Sequence, residues 1–255
     1  MSSVLLTGTS SGIGLATAIN LGRAGHTVYA TMRNPDRAPQ LQEAAAKEKL
    51  PVSVLTMDVD SDESVATAAS MIRSQAGFID VLVNNAGIER RGSIEELPLE
   101  DFRATMETNY FGALRCIRTF LPEMRERRSG CIINVTSVAG RIACSPLAAY
   151  SASKFALEAL SEALAQEAKP FNIRVAILQP GIIDTPMARR IEAPPGKSHY
   201  PQCRRFAGMF GRRSRIRHRR LWLPKRFATS LRAEHGSCGI KQAPIRCRFS
   251  VGVLR

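Results

Sequence analysis

Val4-Leu5-Leu6-Thr7-Gly8-Thr9-Ser10-Ser11-Gly12-Ile13-Gly14 is the stretch on which the fold turns. A short apolar run over residues 4–7 predicts a buried strand, and residues 12–24 predict an amphipathic helix closed by Gly25. Between them Gly8, Ser10, Ser11, Gly12, Ile13 and Gly14 form a tight turn at a helix N-terminus. Glycines let such a backbone bend sharply and approach a ligand, and the helix end presents free N–H groups and a positive dipole. A strand, this turn and a helix in the first unit of the chain make a site for the pyrophosphate of a dinucleotide.

Outward from this unit the alternation repeats. Strands are expected at 26–32, 52–59, 80–84, 131–137 and 173–179. Helices are expected at 40–49, from a cap at Ser61 to 75, at 99–126 with a break at Pro122, and at 150–168. Short apolar strands separated by helices predict an α/β fold, a doubly wound parallel sheet of Rossmann type with helices on both faces.

The end of the second strand bears on cofactor type. An acid there would hold a ribose 2′-hydroxyl, whereas an arginine accommodates a 2′-phosphate. The strand ends Ala30-Thr31-Met32-Arg33-Asn34, with Arg33 in place and no acid before Asp36, which favours NADP(H) over NAD(H). Further on, Tyr150 and Lys154 stand at i and i+4 on one helical face, with Ser137 at the end of the preceding strand. A free phenol titrates near pH ~10. An adjacent ammonium and a helix N-terminus are expected to lower that value and fit Tyr150 for acid–base work.

These features together resemble the short-chain dehydrogenase/reductase family. Residues 7–14 are similar to its TGxxxGxG turn, Asn84-Asn85-Ala86-Gly87 to its NNAG strand end, and Asn109 to its helix asparagine. Ser137, Tyr150 and Lys154 are similar to its Ser and YxxxK, and Pro180-Gly181-Ile182-Ile183-Asp184-Thr185 to its PGxxxT. The stretches 28–33 and 150–158 are most like the hydroxysteroid and retinol dehydrogenase branch.

The resemblance implies hydride transfer between NADP(H) and an apolar carbonyl or secondary alcohol, with no metal. Tyr150 would give and take the proton, Ser137 would position the carbonyl oxygen, and Lys154 would hold the nicotinamide ribose and lower the Tyr150 pKa. Asn109 would hold a water linking Lys154 to solvent. Asp58 and Val59 would border the adenine, with a helix-side capping role open for Asp58. Asn85, Ala86 and Gly87 would lie by the adenosine ribose, and Pro180, Gly181, Ile183 and Thr185 by the nicotinamide. Cys144, Leu147 and Met187 are candidates for the substrate wall or for ordinary core. Homodimers or homotetramers through the helices at 99–126 and 150–168 are implied by the same analogy.

Composition divides the chain. Residues 1–200 hold 21 basic and 21 acidic residues, whereas 201–255 hold 15 basic residues and only Glu234 as an acid, so the net charge of +14 belongs to the tail. The resemblance spans about 1–211, a catalytic domain with a substrate lid at about 182–211. The aperiodic 212–255 carries no sign of the helix and strand that would complete such a fold. A shifted reading frame, a nucleic-acid-binding or membrane-binding arm, and a divergent terminus that folds back are the three readings of this tail. The lack of a regular basic face favours the first and makes nucleic acid an unexpected partner. A cofactor-binding protein without turnover is the other functional alternative. The six cysteines are scattered and suggest free thiols. No leader and no run of roughly 20 apolar residues is seen, so a cytoplasmic protein is expected.

Overall fold

The computed structural model describes residues 1–181, 183–189, 198–201, 203 and the backbone of 246–247. Expectations for the rest, including most of the basic tail and the last helix, lie outside the described residues. The strands are β1 (Ser3–Thr7), β2 (Thr27–Met32), β3 (Val52–Thr56), β4 (Val81–Asn84), β5 (Gly130–Val135), β6 (Ile173–Leu178) and β7 (Arg246–Cys247). The helices are α1 (Gly12–Arg23), α2 (Gln40–Glu48), α3 (Asp62–Ala76), α4 (Leu99–Met106), α5 (Gly112–Arg127), α6 (Ala148–Ala168) and α7 (Pro186–Arg189).

All strand pairs are parallel, in the order β3-β2-β1-β4-β5-β6-β7. The order reverses between β1 and β4, which opens a crevice at the carboxyl ends of these strands. Alternate residues feed two cores. Leu5, Leu82 and Ile132 pack with α3, α5 and α6 residues such as Ile72, Phe120 and Leu164 on one face. Val4, Leu6, Val81, Val83 and Ile133 pack with Ala18, Leu21 and Leu41 of α1 and α2 on the other. Because both faces are covered, the central strands carry apolar residues on both faces rather than at every second position.

Three boundaries differ from expectation. β3 stops at Thr56, because residues 57–61 turn: Asp58 Oδ1 accepts from Asp60 N at 3.1 Å. Pro122 does not break its helix. The buried stripe Cys116, Phe120 and Met124 carries α5 through to Arg127, since tertiary packing outweighs one missing backbone bond. The irregularity sits earlier, in a π-helical turn at Glu107–Phe111 that joins α4 to α5 and contains Asn109. Finally, the tail, expected to supply no strand, does supply β7. Arg246 and Cys247 pair with Ile177 and Leu178 of β6. An open strand edge recruits backbone groups, whatever the side-chain periodicity.

Candidate active site

The glycine turn is held by two side chains. Thr7 Oγ1 accepts from Asn85 N (3.0 Å) and Ala86 N (2.9 Å), while Asn85 Nδ2 donates to Thr7 O and Gly8 O at 2.9 and 3.0 Å. The end of β4 is thereby stapled across the β1–α1 turn. A Cβ on Gly14 would lie 2.1 Å from Gly8 O and 2.6 Å from Asn85 Nδ2, so only glycine fits. Ser11 is the N-cap of α1 but makes no side-chain capping bond, which leaves the helix end open toward the crevice.

A cavity of about 520 Å³ lies over this end of the sheet. Gly8, Ser10, Ser11, Gly12, Ile13, Gly14, Arg33, Asp58, Val59, Asn85, Ala86 and Gly87 line one part. Ser137, Tyr150, Lys154, Pro180, Gly181, Ile183 and Thr185 line the other, with Cys144, Leu147 and Met187. The size suits a cofactor and a small substrate. Every residue selected from the sequence is thus at the cavity except Asn109.

Asn109 lies just behind it and is buried. Its Oδ1 accepts from Ile88 N at 2.8 Å, and its Nδ2 donates to Ile88 O and to Ser153 Oγ, both at 2.9 Å. The side-chain amide therefore pins the loop after β4 to α6. Asn85 likewise spends its amide on the turn. In the turn after β3, Asp58 Oδ1 accepts from Asp60 N, while Ser61 Oγ caps α3 by accepting from Ser64 N at 3.2 Å. Thr185 Oγ1 accepts from Ala188 N at 3.2 Å at the start of α7.

The catalytic candidates converge from three elements. Ser137 follows β5 and caps the turn at Val138–Gly140, its Oγ accepting from Ala139 N at 3.1 Å. The same hydroxyl is near enough to the phenol of Tyr150, in the first turn of α6, to favour its ionised form. Lys154 Nζ is buried 5.7 Å from the Tyr150 ring centre and donates to Val135 O at 2.9 Å. Gly87 makes room here, since a Cβ would stand 3.1 Å from Asn109 Oδ1 and 3.6 Å from Nζ.

Proton affinities correct one expectation. Tyr150 is pushed up to about 12 rather than lowered, chiefly by burial; the Ser137 hydroxyl opposes this, and the nearby Glu89 carboxylate adds to it. Burial also pushes Lys154 down to about 8, with the Glu158 carboxylate opposing. Low dielectric disfavours the charged form of both groups. The expectation, which rested on the adjacent ammonium and the helix N-terminus, left burial out. Glu158 is itself buried one turn beyond Lys154, with Oε1 accepting from Thr136 Oγ1 (2.5 Å) and Gln179 Nε2 (2.8 Å).

Two site residues escape sequence reasoning. Glu89 and Arg91 line the cavity as an ion pair, both largely buried. In the sequence, Glu89-Arg90-Arg91 reads as a solvated charge run. Nothing local marks it otherwise.

A parallel sheet whose switch point carries a glycine cradle beside a Ser–Tyr–Lys set is the architecture of a dehydrogenase family. The chain belongs to the short chain dehydrogenase family, which it matches over residues 2–196. It is 42% identical to a 3-ketodihydrosphingosine reductase of Bacteroides thetaiotaomicron over 71% of this chain and 64% of that protein. It is 40% identical to human retinol dehydrogenase 8 over 78% of this chain and 64% of that one. Among solved structures, gluconate 5-dehydrogenase from Burkholderia cenocepacia in complex with NADP and tartrate superposes with a TM-score of 0.70. It is 31% identical and covers 74% of both chains. Among the described residues, no helix is long and apolar enough to cross a membrane, and no group of metal-ligating side chains is found.

Proposed function

We propose that the protein is an NADP(H)-dependent oxidoreductase that interconverts a carbonyl and a secondary alcohol on a substrate with an apolar body. One observation carries the reading: Ser137, Tyr150 and Lys154 line the same cavity as the glycine cradle, with Lys154 Nζ 5.7 Å from the Tyr150 ring centre.

The cradle fits a dinucleotide because Gly14 has no space for a side chain and α1 leaves its first turn uncapped. Gly8, Ser10, Ser11, Gly12, Ile13 and Gly14 would hold the pyrophosphate. Asp58, Val59 and Asn85 to Gly87 would flank the adenosine, and Pro180, Gly181, Ile183 and Thr185 the nicotinamide. Arg33 is exposed at the end of β2 and lines this cavity, where its charge suits a 2′-phosphate. The bound cofactor supplies or accepts the hydride.

Tyr150 gives its phenolic proton to the carbonyl oxygen during reduction and takes it back during oxidation. With its proton affinity raised, the phenol stays protonated at neutral pH and is ready as a donor. Ser137 orients both oxygens. Lys154 places a cation near the phenolate as it forms and stabilises it. Ile142, Leu147 and Met187 offer the apolar wall for the substrate.

We take the catalytic unit as about 1–211, joined at its sheet edge by β7 from the tail. In support, Ser198, His199 and Cys203 contact the body of the domain. Glu96 accepts from Ser198 Oγ and His199 N, both at 2.7 Å, and the buried Cys203 lies 3.5 Å from Ser145 Oγ. Exposed Phe111 and Phe155 support an oligomer through the α4–α5 and α6 surfaces, and a cytoplasmic setting fits the free thiols.

The test is thermal unfolding with NADP+, NAD+ or neither, followed by NADPH consumption with a carbonyl panel. A ligand at 100 times its Kd stabilises by roughly 2.7 kcal/mol. A larger shift with NADP+ and turnover of a ketone are expected. Equal shifts would remove the cofactor preference, and no turnover would remove the catalytic reading.

A further inference from the structure

The loop at residues 88–92 is built into the substrate end of the cavity by contacts at both of its ends. Ile88 is held on N–H and C=O by Asn109, at 2.8 and 2.9 Å. Gly92 N donates to Pro146 O at 3.1 Å, and Gly92 bridges Leu147 in parallel register, one turn before Tyr150. Between these anchors the side chains alternate. Arg90 turns outward to Asp101 at 3.0 Å and is about half exposed. Glu89 and Arg91 line the cavity and are each only 12% exposed.

Within the pair, Arg91 Nε donates to Glu89 Oε1. The paired carboxylate lines the cavity, where it can accept from a bound molecule. An apolar group pressed against the pair would strip water from both charges and return no hydrogen bond, which is unfavourable. A donor on the substrate replaces the lost water with a charge-assisted bond.

The geometry points to Glu89 as a specificity-determining residue that accepts a hydrogen bond from a hydroxyl or ammonium group a few bonds from the substrate carbonyl, with Arg91 holding the carboxylate in place. The substrate is then amphipathic: a polar donor beside the reacting carbon and an apolar remainder along Ile142, Leu147 and Met187. The closeness of Glu89 to the reacting position also shows in Tyr150, whose proton affinity its charge raises. The inference rests on the oxidoreductase reading and narrows its substrate class.

The experiment compares kcat/KM of the full chain with NADPH for 1-hydroxy-2-octanone, the matching 1-ammonium ketone and 2-nonanone. The variants are Glu89→Leu and Arg91→Met. The wild type is expected to favour one or both donor-bearing ketones by roughly 10–100-fold, the worth of a hydrogen bond to a charged group. The ratio between the two arms tells hydroxyl from ammonium. Glu89→Leu should bring the preference close to one, and Arg91→Met should reduce it. Retention of the NADP+ thermal shift shows that each variant is folded. Equal kcat/KM for all three ketones, or a preference that survives Glu89→Leu, overturns the inference while leaving the oxidoreductase reading intact. No turnover of any ketone by wild type that still binds NADP+ overturns the reading and the inference together.

Discussion

The two halves of the cavity are built in different ways. The cofactor half is made of backbone: the β1–α1 turn, closed so tightly that Gly14 has no space for a methyl group, and stapled by Thr7 and Asn85. The substrate half is made of side chains from remote segments, the loop at 88–92, the stretch before Tyr150, and α7. One half tolerates no change of shape, whereas the other changes its chemistry by exchanging single side chains. The contrast predicts that substitutions in the first remove binding, and substitutions in the second redirect or slow the reaction while the cofactor still binds.

Tyr150→Phe is the sharpest probe of that division. It should cost about 10²–10⁴-fold in turnover, as loss of a general acid does, while the NADP+ thermal shift stays as in wild type. A loss of both would place Tyr150 in the binding half instead. Gly14→Ala tests the other half, because its new Cβ meets a backbone oxygen that cannot move aside. Destabilisation by about 1–3 kcal/mol is expected, with loss of the NADP+ shift; denaturant melts with and without cofactor check it.

Asn109→Ala probes the bolt between the halves. It leaves Ile88 N–H and C=O without their partner, worth about 1–3 kcal/mol, and loosens the loop carrying Glu89 and Arg91. A fall in kcat/KM with NADP+ affinity retained is the expected pattern. Arg33→Ala should reduce the NADP+ to NAD+ affinity ratio by about tenfold, comparable to one charged hydrogen bond, and leave NAD+ binding alone. Titration of both cofactors decides it.

The smallest effect lies in the pH dependence of stability. The folded value of Lys154, near 8, is below its ordinary 10.5, so between these pH values the unfolded chain binds more protons. Its contribution to stability therefore rises with pH across that window. Tyr150 acts the other way above pH 10, because its folded value is near 12. Melting curves from pH 8 to 10 should show wild type gaining on Lys154→Met. Parallel curves would mean that Lys154 is not desolvated.

How much of the site was readable from residues follows the same division. Gly8, Ser10 to Gly14, Ser137, Tyr150 and Lys154 line the cavity at strand ends and helix starts that periodicity locates, and Asn85 to Gly87, which the family resemblance pointed to, line it too. Asn109, selected through the resemblance, lies behind the cavity, and its partners were not foreseen. Its contact with Ile88 spans 21 residues and depends on a π-helical turn that no pattern of apolar residues marks. Pro122 was read as a break because local propensity sees a missing donor and not the buried stripe of α5.

Covalent order and short-range chemistry suffice for the strand–turn–helix alternation, the glycine cradle and the Tyr150–Lys154 spacing, since steric limits and helical period act within a few residues. Burial acts otherwise. Whether Glu89 and Arg91 face water or a substrate, and whether Tyr150 is eased toward or held from ionisation, is settled only when β4, α4 and α6 pack. Desolvation and charge–charge interaction depend on what surrounds a group in space, and sequence neighbours do not report that.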